Sequence, residues 1–170
     1  MKTFETVLLA VNRWVLILLM GAMSIIVFTN VGSRYITGDS IPWAEEVARH
    51  MMIWLTFLGC GLVLRSGGHI AIDNLQDAVS PRAGRWIRGV IVGLIAAFFL
   101  VLIYAGYIYV KRTMFQLTAA TQIPFGYIYL AMPVGCVLTL VHLALVARTY
   151  IFERAFIADE DFDANASAAL

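Results

Sequence analysis

Glu45, Glu46, Arg49 and His50 crowd four ionisable side chains into one short stretch between long apolar runs. On a helix, Glu45 meets Arg49 and Glu46 meets His50, each pair four residues apart with the acid on the favourable N-terminal side. Both acids also fall in the first turns, where the helix dipole stabilises negative charge. Two chemistries fit this pattern. Either the pairs neutralise one another, or they face a partner protein or a watery cavity, the usual setting of ionisable groups close to lipid. Arg34, a short loop upstream, is a candidate third member of the cluster.

A second set, Arg65, His69 and Asp73, also recurs every four residues, but Gly67-Gly68 interrupts any helix between the first and the others. Ile70, Ile72, Leu75 and Val79 interleave with polar residues up to Pro81, the pattern of a surface-lying amphipathic segment. Three histidines raise the possibility of haem or metal ligation, which in a bundle needs two of them at one depth. His50, His69 and His142 fall at different levels, so no metal or cofactor is expected in this chain. Cys60 and Cys136 lie inside apolar blocks without a CxxC spacing and read as packing residues.

The elements that must position these groups are membrane spans. Of 170 residues, 61% are apolar and 14% charged, against about 25% charged in soluble domains. Mean hydropathy is +0.84, too apolar for a soluble globule. Twelve Lys and Arg against 11 Asp and Glu leave a net charge of +1, with no basic field to hold nucleic acid. Charge-free runs and turn residues place spans at 14–35, 42–64, 89–110 and 125–147, each close to the ~20 residues a bilayer core needs. The first run is too long for a cleaved signal and no A-x-A-like site follows it, so it reads as a retained helix.

The expected fold class is thus an all-α integral membrane protein, one four-helix domain over 1–158 with an inner amphipathic loop at 65–88. The acidic tail at 159–170 reads as disordered. Lys and Arg favour one side eight to four, which places both termini in the cytoplasm. Arg82, Arg85 and Arg88 read as topology-setting groups that touch anionic headgroups of membrane lipids. Gly89, Gly93 and Ala97 follow a small-xxx-small rule, and Gly59 and Gly61 flatten part of the second span, so both faces allow close helix approach. Spacing leaves open whether the neighbour is this chain or another subunit. Pro133, placed in the middle of the fourth span, should bend it. No internal repeat marks the chain as a complete secondary transporter.

The order of motifs is more specific than the composition. Arg34, then Trp43-Ala44-Glu45-Glu46-Val47-Ala48-Arg49, Trp54-Leu55-Thr56-Phe57-Leu58-Gly59, Arg65 with His69-Ile70-Ala71-Ile72-Asp73, Ile123-Pro124 and Met132-Pro133-Val134-Gly135 follow in sequence. Over about residues 10–150 this series resembles the small membrane subunit of tripartite ATP-independent periplasmic (TRAP) transporters. The resemblance implies a non-enzymatic scaffold subunit in the bacterial inner membrane, part of a secondary active importer of organic acids. It implies a larger multi-span partner that binds substrate and sodium ions and moves in an elevator-like way, and a soluble periplasmic protein that delivers the cargo. Carried over by position, Arg34, Trp43, Glu45, Glu46 and Arg49 become candidates for an outer partner or docking surface. Arg65, His69 and Asp73 become candidates for an inner anchor. The competing expectation is a self-sufficient proton-coupled exporter acting as a homodimer, with Glu45 and Glu46 as its carboxylates. A haem-bearing electron carrier is a third class.

Overall fold

The computed structural model describes residues 2–65 and 81–153. Helix α1 runs Lys2–Thr37, 36 residues with Glu5 in its first turn, and at 1.5 Å per residue is about 54 Å long. It overshoots the expected 14–35 at its N-terminal end, because no breaker stands between Lys2 and Trp14. Gly38 ends it with φ 79°, the left-handed conformation that closes a helix and that glycine adopts without a Cβ penalty. The connector is stitched locally: the Ser33 hydroxyl donates to the Asp39 carbonyl at 3.1 Å and the Ile41 amide donates to Asn30 Oδ1 at 2.7 Å. Helix α2, Ala44–Arg65, follows directly.

Helix α3 is Pro81–Thr113, opened by a proline at the position where a missing N–H costs nothing. Residues 81–88, expected in the inner loop, are therefore helical. Gly84 and Arg88 are buried and Ala83, Ile87 and Ile91 half-buried, a helical spacing that gives this extension a packed face. A short α4, Phe125–Tyr129, leads into α5, Ala131–Glu153. Leu130 between them keeps helical angles, φ −57° and ψ −25°. The interruption falls three residues before Pro133, which has no N–H to offer the Tyr129 carbonyl four residues back. Pro133 thus acts in the first turn of α5, nearer one end of the span than its middle.

Among the described residues four helices are long and apolar enough to cross a membrane, and the protein is an all-α membrane protein. They pack as a row. Helix α1 lies on α2, α2 on α5 and α5 on α3, so α2 and α5 are the inner pair and α1 and α3 are the edges. Leu64, Phe99, Cys136 and Leu143 form the core with Phe57, Cys60 and Leu140. The tightest approach is α2 against α5: a Cβ on Gly135 would stand 2.6 Å from the Phe57 carbonyl oxygen, so only glycine lets the two backbones touch. At the edges Leu18 and Phe28 of α1 and Leu94 and Tyr104 of α3 are exposed. In lipid such faces meet acyl chains or another membrane protein.

The small residues divide the same way. Gly59 faces Leu16 of α1 at ordinary contact distance, while Gly89 and Gly93 have nothing within 4 Å. Gly93 and Ala97 are exposed and Gly89 is half-buried, so among the described residues this stripe is left open to a neighbour.

Candidate functional site

Helix α2 carries a polar cluster at each end. At its start the Glu46 carboxylate is directed away from its own helix into the segment joining α3 to α4. One oxygen accepts the Ala120 amide at 2.8 Å; the other accepts the Thr121 amide at 3.0 Å and the Thr121 hydroxyl. The segment needs such an acceptor, because a loop's backbone N–H groups have no helical partners. It is otherwise closed on itself. Leu117 and Pro124 form an antiparallel bridge, the Thr118 amide donates to the Ile123 carbonyl at 3.0 Å, and the Ile123 amide donates to the buried Thr118 hydroxyl oxygen at 3.0 Å. Gln122 takes φ 56° and donates its side-chain amide to the carbonyls of Thr118 and Ala119.

The expected pairing within α2 is not what the helix does. Glu46 serves the loop, and His50 packs edge-on against Phe125 with ring centroids 6.4 Å apart. Phe125 in turn stacks on Tyr129, and Tyr129 meets Tyr109 of α3 at 4.7 Å, so an aromatic column continues the Glu46 contact across the row. Arg34, Glu45 and Arg49 are exposed and, among the described residues, form no ion pair with one another. Trp43 stands beside them, 45% exposed.

At the other end Arg65 is buried and forms an ion pair with Glu5, its Nη2 donating to Glu5 Oε1. Two turns further along α1, the Asn12 side-chain amide donates to the Leu58 carbonyl at 3.2 Å and lies 3.5 Å from His142 Nε2. His142 is fully buried and is seated by Gly61, where a Cβ would come within 2.5 Å of its ring. Three helices therefore meet in one polar cluster. Arg65 Nη1 and His142 Nδ1 are buried in it without hydrogen-bond partners among the described residues. His69 and Asp73, expected to join Arg65, lie outside the described residues.

Arg88 corrects another expectation. It is buried rather than lipid-facing, and its Nε donates to the Ile151 carbonyl at 3.0 Å, holding the last turn of α5. Arg82 and Arg85 are exposed. The sequence singles out neither Glu5 nor Asn12, and marks Thr118 and Thr121 only as polar loop residues before the fourth span. The available signal was Asn12, a polar residue within an apolar run, seven residues from Glu5 on the same helix face.

Comparison with known proteins fits this architecture. Residues 23–151 match the family described as tripartite ATP-independent periplasmic transporters, DctQ component. The ectoine TRAP transporter small permease protein TeaB of Halomonas elongata is 28% identical over 140 residues, 81% of this chain and 72% of that protein. The C4-dicarboxylate TRAP transporter small permease protein DctQ of Vibrio cholerae is 28% identical over 100 residues, 59% of this chain and 43% of that protein. A putative TRAP transporter small permease protein of Haemophilus influenzae is 36% identical over 63 residues, 37% of this chain and 39% of its own length. The match thus spans less than half of the Vibrio and Haemophilus relatives. With most of its length inside the family match and four membrane-length helices to accommodate it, the chain belongs to the DctQ component family, the small permease subunits of TRAP transporters.

Proposed function

We propose that this subunit is the stationary scaffold of a sodium-coupled importer of organic acids in the bacterial inner membrane. It pairs there with a large membrane subunit that holds the cargo and the sodium ions, and both of its termini face the cytoplasm. The observation that carries this reading is the open small-residue stripe Gly89, Gly93 and Ala97 on an edge helix of the row. Small residues admit a neighbouring helix at close range, and none of the described helices of this chain takes that place.

Exposed Arg34, Trp43, Glu45 and Arg49 then form the surface offered to a periplasmic binding protein, with Glu46 withdrawn behind them to hold the loop. Arg82 and Arg85 are placed to meet anionic lipid headgroups. The exporter reading is weaker, because one of its two candidate carboxylates, Glu46, is engaged by two amides and a hydroxyl, and the other, Glu45, stands in the first turn of α2 rather than in the middle of the span.

The test is reconstitution. Vesicles holding this chain together with the large subunit, supplied with loaded binding protein and a sodium gradient, take up cargo. Omitting this chain abolishes uptake. Solute movement by this chain alone would overturn the proposal.

A further inference from the structure

We infer that α1 is held in the row by a polar latch, the Glu5–Arg65 ion pair together with the Asn12–Leu58 and Asn12–His142 contacts, rather than by apolar packing. Helix α1 is the least enclosed of the four spans, and its contact at Gly59 is an ordinary van der Waals touch to Leu16. In lipid such contacts give little net attraction, since acyl chains replace them almost equally well. Polar contacts between helices have no such substitute.

The placement of the polar groups makes them one device. Glu5 and Asn12 lie two turns apart on one face of α1, and Leu58, Gly61 and Arg65 share the facing side of α2. His142 reaches from α5 across the Gly61 notch to meet Asn12. Sliding or rotating α1 by one residue separates both pairs at once. It would leave a buried guanidinium without its carboxylate, with one of its nitrogens already lacking a partner among the described residues. The latch therefore sets both the register and the rotation of α1, and so decides which apolar residues this edge of the row presents outward.

Spin-label distances in lipid nanodiscs test this on the full chain, in a Cys60→Ala, Cys136→Ala background. Labels at exposed Leu18 of α1 and Leu94 of α3 report the position of α1. Labels at Leu94 and exposed Val137 of α5 report the rest of the row. Glu5→Ala with Asn12→Leu broadens the Leu18–Leu94 distribution about twofold and leaves Leu94–Val137 unchanged, as expected when one element is released locally. Exchanging the charges, Glu5→Arg with Arg65→Glu and Asn12 intact, restores most of the narrow distribution. An unchanged Leu18–Leu94 distribution in the double variant overturns the latch, and so does equal broadening of both pairs, which would make the cluster a general core element.

Discussion

Glu46 and Arg65 stand at opposite ends of α2, and each is engaged by a segment remote in sequence. The Glu46 carboxylate takes two loop amides and a hydroxyl, all neutral donors. The Arg65 guanidinium takes an ionised carboxylate from another helix. The difference follows the surroundings. Glu46 is only half-buried at an end where loop backbone needs an acceptor, and water screens what the amides leave uncompensated. The Arg65 side chain is 5% exposed, and a charge so far removed from water requires a counter-charge. One end of the helix thus organises a loop, while the other fixes a neighbouring helix.

The largest effect is expected at the buried end. Arg65→Leu strips the partner from Glu5, whose side chain is 24% exposed. Breaking a buried pair costs about 3–5 kcal/mol, and the partial exposure of Glu5 puts this case near 3 kcal/mol. Unfolding in mixed detergent micelles measures it. A variant as stable as the parent would mean that water already solvates the guanidinium, and the contrast between the two ends would vanish.

Glu46 gives the next effect, and it is local. Glu46→Lys directs a cation at the Ala120 and Thr121 amides, so the 114–124 segment opens and is cleaved several-fold faster by an added protease. Glu46→Gln keeps one carbonyl oxygen as acceptor and should be cleaved at an intermediate rate. Helix packing around Gly135 stays intact in both, because that contact is distant and built from backbone and glycine. Equal cleavage of all three proteins would show that the hairpin's own hydrogen bonds suffice.

The four spans were legible because apolar runs of bilayer length have few other uses. Their ends were not. Arg82, Arg85 and Arg88 read as a loop because charge is taken to end a span, yet Pro81 starts a helix and Arg88 finds a carbonyl inside it. The polar clusters were hidden for a related reason. Spacing reveals partners three or four residues apart, so for Glu46 it offered His50 or an unspecified partner; its actual donors, Ala120 and Thr121, are brought near only by the packing of α2, α3 and α5. Glu5 paired with Arg65 is likewise a consequence of two long helices lying together. The open stripe Gly89, Gly93 and Ala97 was visible as a pattern, and only the packing tells that none of the described helices covers it.

The smallest effect on stability, and the sharpest functional one, belongs to Glu45. It is adjacent to Glu46 in sequence, yet exposed, and among the described residues it forms no ion pair with Arg49. Glu45→Lys should therefore change stability by about 0.5 kcal/mol or less, the range of surface substitutions, and leave the 114–124 segment resistant to protease. If the outer surface receives a binding protein, the reversal slows uptake mainly by weakening encounter between charged surfaces, and the deficit changes with ionic strength because exposed charges are screened. Uptake equal to the parent at low salt would leave Glu45 as a solvated surface residue and remove it from the docking surface. A loss of uptake independent of salt would instead assign it a close contact. Comparing Glu45→Lys with Glu46→Lys in one assay separates docking from loop support, since only the second should alter proteolysis.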